Sequence, residues 1–459
     1  MGDFVNEKPL SCISCDFFNS GPRIHFVGIL GAGMLPLARL VASFGALVSG
    51  TDKSNRQPGG VLLGENIGFT PYHTARGLDG VDLIVYSLAV PNDSPELVFA
   101  KERGIPTVTR AELLGAIATR YKTSIAVAGT HGKSTTVAIL THILNSLGFS
   151  PTVVSGAALC GGDSLLVGGN DLFIAEACEY KNAFHSIKPT YALITNIDYD
   201  HVDCFSDVGE VIHSFQTFAR GAQNTFINLS CGASVTAMKG LSNRVITYGT
   251  AEAEYGLTSY SPRAYKTDFT LKINGEIYPF TIPVAGLGAL YDATLAIAAA
   301  HRIGASVSQI RDTVATFFGI ERRLELLGVL DGHPVYYDYA HHPREIENTV
   351  QTLMRRHESL SVIFRPHTYS RTGALMDDFV RAFSGVESVA LLDVYAAREN
   401  PIPGATSKDL ATRIGKSAVV CNAENALEYI LKTSRGAIVL MGAGEVDGIF
   451  TEIKSRLDR

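Results

Sequence analysis

The stretch SIAVAGTHGKSTTVAILTHILNSLG, residues 124 to 148, constrains the fold more than any other part of the chain. A short apolar run ends in a glycine turn, and a segment of helical length comes at once after it. The same order appears at RIHFVGILGAGM (23 to 34), continued by LVSGTD, a strand ending at Asp52. DLIVYSLAV (82 to 90) reads as a third strand, and GIPTVTRAELLGAIA as a short strand and a helix. Strands alternating with helices imply parallel sheets, so the fold class is α/β.

A first unit is expected to end near Arg120. The second starts at the glycine loop and continues through DLFIAEA (171 to 177) and YALITNI (191 to 197), two strands with polar ends. Residues 245 to 283 alternate apolar and polar, which predicts an antiparallel strand excursion, and LYDATLAIAAAHRIGA predicts a helix. A third unit from about residue 324 carries strands at PVYYDYA, SVIFRP, SVALLDVY and GAIVLMGAG. The first and third units fit a general Rossmann-like plan.

Composition narrows the class. At 46% hydrophobic and 18% charged, the 459 residues match a globular enzyme of about three domains. A net charge of −6 gives no basic field for nucleic acid. No apolar run reaches the roughly 18 residues of a membrane span, and the first 20 residues lack the order of a signal peptide, so the expectation is a cytoplasmic protein with no membrane partner. Seven cysteines, an odd number spread widely, argue against a disulfide framework. Cys12 and Cys15 form a lone CxxC without a second ligand pair nearby, and read as part of a flexible arm.

The glycine loop misses the general phosphate-loop pattern, because Val127 stands where its first glycine belongs. Its parts are nonetheless suited to a triphosphate. Gly129 and Gly132 let backbone amides point inward, beside the positive end of the next helix. Lys133 adds a full charge, and Ser134 or Thr135 a hydroxyl suited to Mg2+. Ligands of open α/β sheets sit at the carboxyl ends of strands. Glu176 and Glu179 of EACEY, and Asn196, Asp198, Asp200, His201 and Asp203 of TNIDYDHVD, should therefore converge on the loop. In the third unit DYAHHP and FRPHTYSRT contribute Asp338, His341, His342, Arg365, His367 and Arg371, and arginine forks suit carboxylates and phosphates. GILGAG in the first unit fails GxGxxG, although Asp52 ends the second strand where a ribose-binding acid would be.

IHFVGILGAGM, GTHGKSTT, EACEYKNAF, TNIDYDH, RRLELLG, DYAHHPREI, FRPHTYSRT and DVYAARENPIPG occur in that order, and over nearly its whole length the chain resembles the Mur ligases of peptidoglycan synthesis. The resemblance implies a Rossmann-like UDP-sugar domain over 1–120, a central phosphate-loop ATPase domain over 121–321 and a Rossmann-like amino-acid domain over 322–459. It implies ATP and Mg2+ as cofactors, UDP-N-acetylmuramate and L-alanine as substrates, an acyl-phosphate intermediate, and a monomer or homodimer. Family phosphate loops have the shorter form GTHGK[ST], so Gly129, Thr130, His131, Gly132, Lys133, Ser134 and Thr135 would hold ATP, together with Asn196 and Asp292. Ser134, Glu176 and His201 would contact the metal, with Glu179 as the rival of Glu176. Arg322 would reach over the nucleotide from a hinge at Gly319 to Leu324, about which the third domain closes. His341, Tyr339, His367 and Arg371 would hold L-alanine, with the arginine on its carboxylate. Gly31, Ala32, Gly33, Asp52 and Ser87 would contact the UDP part.

The chain departs from the family pattern at Leu30, Leu35 and Pro36 after the first strand, at Tyr337 before DYAHHP, and at Glu445. Ala289 and Asp292 stand where the family has asparagines near the adenine, so altered base recognition is expected. Three other readings remain open: a divergent paralogue of the family that accepts another amino acid or sugar, a phosphate-loop switch or kinase that uses no amino acid, and a UDP-sugar sensor without turnover.

Overall fold

A computed structural model describes residues 13, 15–53, 67–159, 162–263, 266–397, 399–443 and 446–457. Cys12 and Glu445, singled out from the sequence, lie outside these residues, and so does the side chain of Cys15. Two compact units are formed. The first comprises Met1–Ile197, Ile212–Gly256 and Leu295–Thr313, and the second Asp198–Val211, Leu257–Thr294 and Val314–Arg459.

Among the described residues, the first unit opens with a sheet of β1 (Arg23–Val27), β2 (Leu47–Asp52), β3 (Ile67–Pro71), β4 (Leu83–Tyr86) and β5 (Thr107–Thr109). Its order is β3-β2-β1-β4-β5, and every pairing is parallel. Strand order reverses between β1 and β4, which opens a crevice at their carboxyl ends. β4 is shorter than DLIVYSLAV suggested, because the Val90 amide donates to Ser87 O and closes a turn there.

The second sheet contains β6 (Thr123–Ala128), β7 (Thr152–Val154), β8 (Leu165–Leu166), β9 (Leu172–Glu176), β10 (Tyr191–Ile194), β11 (Asn224–Asn228), β12 (Arg244–Gly249) and the start of β13 (Tyr255–Pro262). β6 lies between β10 and β9, parallel to both, with Val127 beside Glu176 and Ala128 beside Ile194. The glycine loop after β6 thus leaves the sheet between the two strands whose ends carry the polar residues.

The excursion expected over 245–283 is only partly antiparallel. β12 pairs parallel with β11, and β13 begins parallel to β12. Within the second unit β14 (Thr267–Ile273) and β15 (Glu276–Ile282) form the antiparallel hairpin, around Asn274 and Gly275, both at positive φ. Alternation marks a strand with one solvated face, but does not give its direction.

The second unit also holds β16 (Glu325–Leu330), β17 (His333–Asp338), β18 (Leu360–Arg365), β19 (Ser388–Leu391), β20 (Ala418–Val420) and β21 (Ala437–Gly442), in the order β16-β17-β21-β18-β19-β20. Among the described residues of this sheet, β16 is the one strand antiparallel to its neighbour. Alternate residues of the central strands feed two cores. Tyr336, Val362, Phe364, Val439 and Met441 pack on one face, and Val335, Tyr337, Ile363, Ile438 and Leu440 on the other. Burial on both faces explains why these strands read as continuous apolar runs.

Candidate active site

The glycine loop is fixed by its neighbours' strand ends. Gly129 (φ 143°) and Gly132 (φ 79°) take conformations that side chains disfavour. A Cβ on Gly129 would lie 1.8 Å from Thr195 Oγ1, so only glycine fits. Asn196, expected among the ATP contacts, holds the loop itself: its Oδ1 accepts from the His131 amide at 3.0 Å, and its Nδ2 donates to His131 O at 3.0 Å. Its backbone oxygen also accepts from the Thr130 amide at 3.2 Å. Gly132 caps the helix Lys133–Ser146, and Ser134 and Thr135 stand half-buried in its first turn.

Lys133 curls back over this loop. Its Nζ donates to Gly129 O, to Thr130 O at 3.3 Å, and to both carboxylate oxygens of buried Glu179 at 3.1 and 3.0 Å. Burial opposes the ammonium, but Glu179, with Cys178 and Glu176, outweighs it and raises the lysine pKa above its usual value. Glu176 is engaged differently: Oε1 accepts from Ser155 Oγ at 2.7 Å and from the Gly156 amide at 3.0 Å.

In the second unit, the segment from Asp198 to His201 is tied at three points to the first turns of the helices that follow β17 and β18. Arg344 Nη1 meets Asp198 Oδ1 at 2.7 Å, His342 Nε2 donates to Tyr199 O at 3.2 Å, and Arg371 clamps Asp200. The arginine's Nε reaches Asp200 Oδ1 at 2.8 Å and Nη2 reaches Oδ2 at 3.1 Å, with both side chains buried. Sequence explains the local geometry. In HHPRE, His342 Nδ1 accepts from the Arg344 amide, Pro343 opens the helix Pro343–Met354, and Glu345 returns to the His342 amide, which completes a capping box. His201 has φ 51°, and its amide bonds Asp200 Oδ1 at 2.7 Å.

His341, Tyr339, His367 and Arg371 do come together. The His341 ring lies 5.6 Å from that of Tyr339 and 5.7 Å from that of His367. His367 Nδ1 accepts from Arg371 Nη1 at 2.9 Å, and its ring stacks on Tyr395 at 5.5 Å. Burial lowers the pKa of both histidines, that of His367 to about 3, with His341 and Arg371 adding to the effect there. Both are therefore neutral at pH 7. Asp338, also buried, is pushed up to about 6. Arg322, expected over a nucleotide, has its guanidinium 5.6 Å from the Tyr337 ring centroid and 5.8 Å from that of Phe450. Gly319, Arg322 and Leu324 of the expected hinge all have positive φ. Asp292 is buried in the helix Leu287–Ile303, one turn beyond half-buried Ala289.

In the first sheet, Asp52 Oδ2 accepts from the Leu30 amide at 3.0 Å, which fixes the turn that carries Gly31, Ala32 and Gly33. Arg110 packs against Gly33, and a Cβ there would lie 3.1 Å from its Nη1. Ser87 Oγ accepts from the Ala89 amide at 3.3 Å at the end of β4, across the strand-order reversal from that turn.

Three family domains match in sequence: the Mur ligase family catalytic domain over residues 23–122, the Mur ligase middle domain over 127–300, and the Mur ligase glutamate ligase domain over 322–444. The UDP-N-acetylmuramate–L-alanine ligase of Lachnospira eligens is 37% identical, covering 94% of this chain and 97% of that protein. The chain belongs to the Mur ligase family.

The protein of the same name from Caldicellulosiruptor saccharolyticus is 36% identical over 93% of this Mur ligase and 96% of its own length. Among solved structures, the UDP-N-acetylmuramate–alanine ligase of Thermotoga maritima superposes with a TM-score of 0.79 at 25% identity, over 94% of this chain and 99% of that one. The murein peptide ligase of Psychrobacter arcticus shares the fold, with a TM-score of 0.72 at 22% identity.

Sequence reasoning placed the strand ends of this Mur ligase but missed the partners that engage them. Thr195 Oγ1 donates to the carbonyls of Ala128 and His131 on either side of Gly129, Ser155 bonds Glu176, and Asp200 pairs with Arg371. Asp200 carried a signal, as an acid beside His201 in TNIDYDH, whereas Ser155 and Thr195 carried none. Among the described residues, no group of three or more His, Cys, Asp or Glu side chains forms a metal site by itself. No described helix is long and apolar enough to cross a membrane.

Proposed function

We infer that this chain is an ATP-dependent ligase that joins L-alanine to the lactyl carboxylate of UDP-N-acetylmuramate, in peptidoglycan precursor synthesis. The observation that carries the reading is the phosphate loop, Gly129 to Thr135, pinned to the end of β10 with Lys133 held inside it, in a chain similar from end to end to ligases of that name. Three domains near 1–120, 121–321 and 322–459 would bind the sugar nucleotide, ATP and the amino acid.

A carboxylate is a poor electrophile because oxide is a poor leaving group. One carboxylate oxygen attacks the γ-phosphorus, the bond to the β–γ bridging oxygen breaks, and ADP leaves. The amine then attacks the acyl carbon and phosphate departs. Charge gathers on the transferred phosphoryl oxygens, and positioned cations are what such a site contributes. Lys133 would turn toward them from its place on the loop. Mg2+, when bound, supplies further positive charge, and Ser134, Glu176 and His201 would hold it. The donor set is suited to it: both oxygens of Glu179 are engaged by Lys133, whereas the described bonds of Glu176 use only Oε1, and this favours Glu176 over Glu179.

The attacking amine must shed a proton. His341 is neutral, and its Nδ1 lies 3.0 Å from Tyr339 O, an acceptor. Nδ1 therefore carries the hydrogen, which leaves Nε2 to take the proton. Gly31, Ala32, Gly33, Asp52 and Ser87 would contact the UDP part, with closure about Gly319 to Leu324 keeping water from the acyl phosphate.

Phosphate release measured with each component omitted in turn tests the reading. Release should require ATP, UDP-N-acetylmuramate and L-alanine together. Equal release without the amino acid would overturn the ligase, and none in any mixture would favour a sugar-binding protein.

A further inference from the structure

Arg371 is engaged from within through three of its five N–H donors. Its Nε and Nη2 form a two-pronged pair with Asp200, and its Nη1 donates to His367 Nδ1. A guanidinium offers five N–H donors in a fixed planar fork, and its two-pronged edge fits one carboxylate. A second carboxylate can take that edge only if the first lets go.

We propose that Asp200 is an internal stand-in for the carboxylate of the amino-acid substrate: it holds Arg371 until the amino acid arrives, exchanges with it, and so couples acceptor binding to the loop that carries His201. The proposal rests on the reading that Arg371 takes the amino acid's carboxylate. The exchange has a structural path. Asp200 Oδ1 already accepts from the His201 amide at 2.7 Å, so a released carboxylate keeps a partner within its own loop. Asp198 with Arg344, and Tyr199 O with His342, hold the neighbouring residues in place, which confines the change to Asp200 and the turn at His201. His201, next in the chain, sits at positive φ with its carbonyl accepting from the Cys204 and Phe205 amides. Movement of Asp200 is therefore passed directly to a strained turn. In this arrangement Asp200 is a positioning residue, since it acts through Arg371 and the His201 turn.

Steady-state kinetics on the full chain separate the possibilities. Asp200→Asn removes the charge that competes for Arg371, so the KM for L-alanine should fall about 10-fold, a change worth roughly 1.4 kcal/mol, while the KM for UDP-N-acetylmuramate stays put. Propionate, which has a carboxylate but no amine, should inhibit the variant more strongly than the parent. Arg371→Ala should raise the L-alanine KM whether or not exchange occurs. An unchanged L-alanine KM in Arg371→Ala would overturn the underlying reading. A raised value there, with no fall in Asp200→Asn, would overturn the exchange alone. If Asp200→Asn does not fold, the unaltered protein still decides the matter by amide hydrogen exchange over residues 198–205. With a non-hydrolysable ATP analogue and the sugar nucleotide present, L-alanine should change protection there, and no change would overturn the proposal.

Discussion

Lys133 and Glu179 form a closed pair, with one ammonium within 3.1 Å of both oxygens of one buried carboxylate. The pair fixes the lysine over its own loop at Gly129 O and Thr130 O. Lys133→Ala should lower kcat by about 10³-fold, the scale of losing one charge-stabilising donor. Binding of UDP-N-acetylmuramate should change little, because the residues proposed for it lie on the first sheet. Calorimetric titration of the sugar nucleotide against the variant checks this. A parallel loss of sugar binding would show that the ligand is assigned to the wrong domain.

The two acids of EACEY separate by their partners. Glu176→Gln should shift the Mg2+ dependence of the rate about 10-fold or more to higher concentration, as expected for losing a metal contact. Glu179→Gln should leave that midpoint within about 3-fold and act on ATP instead, through Lys133. Mg2+ titrations at saturating ATP compare them, and a reversed pattern would make Glu179 the metal contact.

Strand ends were legible in the sequence because a buried parallel strand is an apolar run, and the first polar residues after it mark its carboxyl end. This located Asp52, Glu176 and Asn196 within a residue or two of where β2, β9 and β10 finish. Pairing direction was not legible, as 245–283 showed, because alternation records burial and not hydrogen-bond geometry. Long-range partners were hidden for a related reason. Arg371 and Asp200 are 171 residues apart, and no local pattern says which acid an arginine will meet. The short phosphate loop was readable only as part of a strand–loop–helix unit, since Val127 defeats the general pattern.

Gly129 tests how tightly that loop is built. Gly129→Ala would set a methyl 1.8 Å from Thr195 Oγ1 at a φ of 143°. Thr195 also donates to His131 O, so it cannot withdraw without loosening the loop. A loss of about 2–4 kcal/mol is expected from strain and overpacking combined. Urea unfolding monitors this, and ATP affinity should fall in step. A variant as stable as the parent, with unchanged ATP binding, would mean that the loop adapts more readily than its contacts imply.

His25 gives the protein a dependence on acid that is separate from catalysis. It is buried in β1, with Nδ1 2.9 Å from Ser49 Oγ and Nε2 3.4 Å from Thr51 Oγ1, and burial lowers its pKa from 6.5 to about 4 despite nearby Glu96. The unfolded chain therefore takes up this proton more readily than the folded one. The stability due to neutral His25 is complete above pH 6.5, and is lost as pH falls from there to about 4. Between neutral pH and pH 5 the loss amounts to about 2 kcal/mol. Thr51 links the same histidine to Glu96, whose carboxylate also meets His73 at 3.0 Å, so the sheet end that bears the glycine turn shares in the effect. Urea midpoints at pH 7.5 and 5.0 for the parent and for His25→Gln measure it. The parent should lose more stability than the variant by about 2 kcal/mol, and equal losses would show that His25 takes up its proton without unfolding cost.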